Sequence, residues 1–99
     1  MRNPAVKAGF LIYLMMGYFV YILQSKTDGS YYIGHTNNLE DRLNRHNQGR
    51  SLYTKSRVPW KLAYQEGFNS KNHAMRRERE IKGKKDRAYI ENLVRTSRV

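Results

Sequence analysis

Ninety-nine residues without a cysteine leave room for one small domain and exclude disulfides, thiolate metal sites and cysteine nucleophiles. Nineteen Lys and Arg against eight Asp and Glu give a formal charge of +11. An excess of that size points to a polyanionic partner, nucleic acid ahead of a membrane surface, while an aromatic content of 12% argues against a disordered basic tail.

The chain opens on an apolar run, residues 8–16, too short to span a bilayer and followed by no small-residue cleavage site. Residues 1–16 therefore read as an N-terminal arm, contributed by a start codon upstream of Met15 and Met16, ahead of a domain over residues 17–96. The β-branched and aromatic segment Tyr18-Phe19-Val20-Tyr21-Ile22-Leu23 predicts a first strand, and Tyr31-Tyr32-Ile33 a second. Between them Asp28-Gly29 is a turn pair. As a two-residue turn it sets Thr27 opposite Ser30 and Ser25 opposite Tyr32, so that Tyr21, Leu23, Ser25 and Tyr32 share one face.

Asn37 or Asn38 caps a predicted helix over Leu39–Gln48, closed by Gly49. Leu39, Arg42, Leu43 and His46 follow the i, i+3, i+4, i+7 stripe, which aims a guanidinium and an imidazole inward beside two leucines. A basic loop leads to a third strand over Trp60–Glu66. Ser70 caps a second helix over Lys71–Lys82, ending at Gly83, on which Ala74, Glu78 and Ile81 share a face. A last helix covers Asp86–Arg95. The order β-β-α-β-α-α describes a small α+β domain: a three-stranded antiparallel sheet flanked by helices.

Polar groups aimed at a core are costly unless paired or used. Tyr21, Tyr32, Arg42, His46 and Glu78 are expected to converge on one concave patch and form a site. Phe19-Val20-Tyr21, Tyr32-Ile33-Gly34, the helical Arg42 ten residues after Tyr32, His46 and Glu78 together resemble the GIY-YIG nuclease superfamily. The likeness is to its small single-domain members and to the N-terminal domain of the excision-repair excinuclease, and runs from about Tyr18 to Val94. Phe19 stands where the family has its first glycine. The resemblance implies a metal-dependent endonuclease that cuts DNA phosphodiesters, in repair or processing, with one Mg²⁺ or Mn²⁺. It implies Glu78 as metal ligand, Tyr21 as base for the attacking water and Tyr32 orienting phosphate or water. His46 then contacts phosphate or relays the proton.

Residue chemistry agrees. A carboxylate is a hard ligand for Mg²⁺, and the arginine fork matches phosphate in a way lysine cannot copy. A tyrosine is a poor base in water, and cationic neighbours such as His35 and Arg42 are expected to lower its pKa. Lys55, Arg57, Arg76, Arg77 and Lys82 are candidates for nucleic-acid backbone contact. The partner expected is DNA, with RNA open, no membrane, a cytoplasmic location and an open oligomeric state. Two alternatives stand beside the enzyme: a catalytically silent basic nucleic-acid-binding module, and a ribosome-associated accessory protein. The same residues also admit a structural account. The tyrosines then serve as ordinary strand residues, His46 as a satisfied core histidine, and Arg42 and Glu78 as partners of each other. Because residues 1–14 show no docking periodicity, a protein starting at Met15 is expected to keep the thermal midpoint of the full chain. A drop of many degrees would place Phe10–Leu14 in the core.

Overall fold

A computed structural model describes residues 16–97; the predicted arm therefore lies outside the described residues except for Met16. The elements run β1 (Tyr18–Ser25), β2 (Tyr31–Thr36), α1 (Leu39–Asn47), a 3₁₀ turn (Lys55–Arg57), β3 (Trp60–Phe68), α2 (Lys71–Lys84) and α3 (Arg87–Thr96). The strands form one antiparallel sheet in the order β2-β1-β3. This is the α+β architecture expected from the sequence.

Strand β1 is central and covered on both faces, which explains why Phe19 to Leu23 read as an unbroken apolar run rather than an alternation. On one face Tyr21, Leu23 and Trp60 are buried beneath Leu39 and Leu43 of α1, with Tyr32 and Val58 packed at their margin. On the other, Val20, Ile22 and Ile33 meet Ala74 and Ile81 of α2, and Ile90 and Leu93 of α3 close the layer. A bulge between Ile22 and Leu23 sets Tyr64 opposite Ile22 but Leu62 opposite Leu23. An unbroken strand would put Trp60 and Tyr64 on one face; the bulge sends Trp60 to the α1 side and Tyr64 to the α2 side.

The hairpin differs from the expected two-residue turn. Leu23 faces Tyr32 and Gln24 faces Tyr31, so the connection is Lys26–Gly29. The buried Ser25 hydroxyl oxygen accepts from the amides of Thr27 (3.1 Å) and Asp28 (3.3 Å) and donates to the Arg57 carbonyl (2.7 Å). Asp28 Oδ1 accepts from the Ser30 amide at 2.9 Å, and Gly29 takes φ +75°. These local bonds outcompete the tight turn. The register moves by two residues, an even shift, so Tyr21 and Tyr32 keep a common face.

Asn38 caps α1 by accepting from the Asp41 amide (3.0 Å), and Ser70 caps α2 by accepting from that of His73 (3.2 Å). Helix α2 does not stop at Gly83. It runs to Lys84 and ends where Lys85 turns left-handed (φ 48°). Asp86 caps α3 directly afterwards, so the reversal falls between the two helices rather than at the glycine.

Gly34 lies opposite Tyr21, and the tyrosine ring crosses its backbone. A Cβ on Gly34 would sit 2.5 Å from the Tyr21 hydroxyl oxygen and 2.7 Å from Cζ, whereas one on Gly83 would meet nothing within 4 Å. Alanine at the two glycines should therefore act with opposite sign. Gly34→Ala is expected to cost about 1–3 kcal/mol through overpacking, and Gly83→Ala to add roughly 0.5–1 kcal/mol through helix propensity and unfolded-state entropy. Urea denaturation of both variants checks this. A neutral Gly34→Ala would show that the Tyr21 ring moves aside freely.

Candidate active site

Tyr21 leaves the central strand and is 2% exposed. Its hydroxyl lies 3.1 Å from His46 Nε2, and His46 Nδ1 lies 2.7 Å from the hydroxyl of the fully buried Thr54. The Tyr32 ring packs on the imidazole at 4.9 Å between centroids, 6.3 Å from the Tyr21 ring and 6.4 Å from Trp60. Trp60 Nε1 donates to the Thr54 carbonyl (3.0 Å). The Asn47 side chain donates to the Trp60 carbonyl (3.0 Å) and accepts from its amide (2.6 Å). The end of α1, the following loop and the start of β3 are thus held as one unit around the Tyr21–His46–Thr54 chain.

Burial is the main reason the Tyr21 pKa is pushed up, to about 12, with Tyr32 adding to the rise; the neighbouring Arg42 pulls the other way and loses. The expected lowering does not occur with these protein groups alone, and Tyr21 is protonated at neutral pH. Burial likewise lowers the pKa of His46, helped by the charges of Arg42 and Arg45, and keeps the imidazole neutral. Both ring nitrogens of His46 are satisfied, as for a core histidine, yet one partner is the candidate base.

Arg42 carries a buried Nε with no hydrogen-bond partner among the described residues. It borders an open cleft of about 290 Å³ with Tyr18, His35, Thr36, Asn37 and Lys71. A buried guanidinium N–H left unpaired beside a second cation, Lys71, is suited to an anionic oxygen.

Of the five expected residues, Glu78 comes from a different helix than Arg42 and His46, and His35 links it to the cleft that Arg42 borders. Tyr21, Tyr32, Arg42 and His46 stand on the α1 face. Glu78 rises from α2 on the other face, where His35 Nδ1 meets its Oε1 at 2.5 Å and Lys82 Nζ its Oε2 at 2.6 Å. Burial pushes the Glu78 pKa up, but the hydrogen bonds and charges of Lys82 and His35 outweigh it, and the group is held below the usual carboxylate range. Glu78 does not pair with Arg42. Its charge still acts on Tyr21. His35, a candidate for phosphate contact or for tuning the tyrosine, holds Glu78 and borders the Arg42 cleft.

No cluster of three or more metal-ligating side chains occurs among the described residues. One ionised carboxylate does fit Mg²⁺, an ion that retains several waters and takes much of its shell from substrate phosphate. Of the candidate backbone contacts, Arg57 donates to the Tyr53 carbonyl and the Ser30 hydroxyl, Arg77 pairs with Glu66 and Glu80, and Lys82 pairs with Glu78. Lys55 and Arg76 are exposed and make no ion pair among the described residues. Thr54 and Asn47 are site residues that the sequence does not reveal, and Gly34 stands out there only as the end of the Tyr32-Ile33-Gly34 motif. Thr54 and Asn47 act through long-range contacts with no local periodicity, and the steric role of Gly34 needs the register opposite Tyr21.

The GIY-YIG catalytic domain model matches residues 17–91, and the chain belongs to that family. It is 52% identical over 69 residues to a UPF0213 protein of Staphylococcus haemolyticus, covering 69% of this chain and 83% of that one. A UPF0213 protein of Streptococcus agalactiae is 45% identical over 73 residues, covering 73% of this chain and 82% of the relative. The solution NMR structure of the UPF0213 protein of Bacillus halodurans superposes with a TM-score of 0.52 at 40% identity, covering 80% of this chain and 83% of that one.

The neutral, buried His46 gives stability a definite pH dependence. Its folded pKa lies below the ordinary 6.5, so the unfolded chain binds more protons as the medium is acidified. Stability is complete above the unfolded pKa and is lost as pH falls through it towards the folded value. Thermal midpoints of the parent should fall between about pH 7.5 and pH 5.5 more steeply than those of His46→Asn. Equal slopes would remove His46 from the buried network.

Proposed function

We propose that this protein is a metal-dependent endonuclease that hydrolyses DNA phosphodiester bonds, with Mg²⁺ or Mn²⁺ as cofactor. The observation that carries the reading is the unpartnered Nε of Arg42, buried in a cationic cleft beside the Tyr21 hydroxyl. Family membership supports it, and so does the net charge.

In this reading Arg42 binds the scissile phosphate and offsets charge that builds in the transition state. Glu78 would hold the divalent ion, which supplies Lewis acidity towards a phosphate oxygen. Lys82, half exposed and joined to Glu78 by one flexible arm, is the group that yields. Tyr21 cannot act by ionising in advance. It takes a proton from the attacking water as its own proton passes to His46 Nε2, which requires Nε2 bare and Nδ1–H directed at Thr54. The products of that transfer are a hydroxide at the phosphorus, a neutral tyrosine and an imidazolium. Tyr32 packs on the imidazole and keeps it oriented. The phosphate brought by DNA stabilises the new positive charge, so proton transfer is favoured only with substrate bound.

A silent nucleic-acid-binding module is the second reading, favoured by one observation: both Glu78 oxygens are occupied by His35 and Lys82. Glu78→Gln separates the two. Glutamine keeps the volume and a hydrogen bond to either neighbour while removing the charge. For a partly exposed pair, stability should change by about 1 kcal/mol or less. DNA affinity should hold, and Mg²⁺-dependent cutting of nicked, branched or single-stranded DNA should fall at least a hundredfold, on the order expected for loss of a transition-state contact. The assay pairs melting temperature with nicking rate, with and without EDTA. A stable variant cutting at the parental rate removes Glu78 from the mechanism, and a parent inert on all three substrates favours the silent module.

A further inference from the structure

The loop between α1 and β3 carries a feature that phosphodiester chemistry does not use. Leu52 and Tyr53 are 71% and 75% exposed, the two most exposed large apolar side chains of the described residues. They do not ride on a slack segment. The Thr54 and Lys55 amides donate to the Ser51 carbonyl at 3.2 and 3.0 Å, and the Arg57 guanidinium donates to the Tyr53 carbonyl at 2.8 Å. The next side chain, Thr54, is fully buried against His46. A backbone fixed on both sides therefore displays an aromatic ring one residue from the candidate catalytic network.

Charge identifies the occupant. From Gly49 to Gln65 the sequence holds no Asp or Glu, while Arg50, Lys55, Arg57 and Lys61 are cationic. Arg50 and Lys55 flank the tip and are exposed. A second copy of a chain with charge +11 would be repelled from such a surface. An exposed aromatic face set among cations instead matches the way unpaired bases are held, by stacking on the ring with the phosphates drawn to the surrounding charge. Bases inside a duplex have no free face to offer.

We propose that Tyr53, with Leu52 beside it, is a stacking platform for an unpaired nucleotide base, so that the preferred partner is single-stranded nucleic acid or a junction with a frayed strand. The inference rests on the nuclease reading only for the strand's path past Arg42; base stacking itself requires no turnover. Thr54 is both the neighbour of Tyr53 and the partner of His46, so the platform stands one residue from the Tyr21–His46–Thr54 chain.

The test is made in EDTA, where cleavage plays no part. Fluorescence anisotropy compares the full chain with Tyr53→Ala and Tyr53→Phe on a single-stranded oligonucleotide, on a blunt duplex of the same length and on anionic phospholipid vesicles. Tyr53→Ala should weaken single-strand binding roughly fivefold to a hundredfold, the range for loss of one base–aromatic stack. Tyr53→Phe should retain it, and duplex binding should change less than about twofold. Thermal midpoints should match, since the side chain is exposed. As a measurement independent of any variant, 2-aminopurine placed in the single strand should be quenched on binding to the parent protein. Equal losses on single strand and duplex, unquenched 2-aminopurine, or a loss confined to vesicles would each overturn the proposal. A stacking effect in a protein that never cuts DNA would leave this inference standing while the nuclease reading fails.

Discussion

The passage of the Tyr21 ring over Gly34 is the contact on which the site depends. With no side chain on the edge strand at that point, a tyrosine from the central strand reaches past the backbone to the end of α1 and meets His46. His46 in turn engages Thr54, and Trp60 and Asn47 lock the intervening loop. One missing Cβ thus connects the hairpin, the first helix and the third strand through a single hydrogen-bonded chain. The glycine is required by close approach rather than by a turn; among the described glycines the left-handed backbone occurs at Gly29 and Gly49.

The sheet order explains why the polar groups lie on two faces and still act on one another. A central strand buried on both sides needs two covering layers, and α1 and α2 supply them. The tyrosines belong to one layer and Glu78 to the other. Had β2 been central, a third strand would separate them. As it is, the cleft with Arg42, His35 and Lys71 forms where β1 begins and β2 ends, at Tyr18, Thr36 and Asn37. The edge, ordinarily exposed to unwanted strand pairing, is flanked here by charge.

Electrostatics within the site divides between groups at rest and groups held waiting. Glu78 is ionised and paired, whereas Tyr21 and His46 are neutral because burial outweighs their neighbours. Arg42 is charged and one of its donors lacks a partner. A bound phosphate would satisfy Arg42 and favour positive charge on His46 at once. The protein's large positive charge is therefore unevenly available. Arg57, Arg77 and Lys82 are taken up by the fold, while Arg50, Lys55 and Lys71 face solvent.

Periodicity and local chemistry were enough to place the elements, since caps, apolar stripes and β-branched runs act over four or five residues. They set Asn38 and Ser70 at helix starts and put Leu39, Leu43 and His46 on one stripe. They also put Tyr21 and Tyr32 on a common face, which the longer hairpin connection preserves because strand faces repeat every two residues. The hairpin register was settled by the Ser25 and Asp28 side chains, with Arg57 far along the chain accepting one of those bonds. The end of α2 was settled by where α3 must begin. The bulge that separates Trp60 from Tyr64 and the clamp made by Asn47 are likewise long-range. Whether Glu78 would meet Arg42 or His35 depended on strand order, and whether burial or Arg42 would govern Tyr21 depended on how deeply the ring was packed. The sequence by itself determined which groups were aimed inward; their partners and their charge were decided by tertiary structure, because pairing and desolvation act between residues that only the fold brings together.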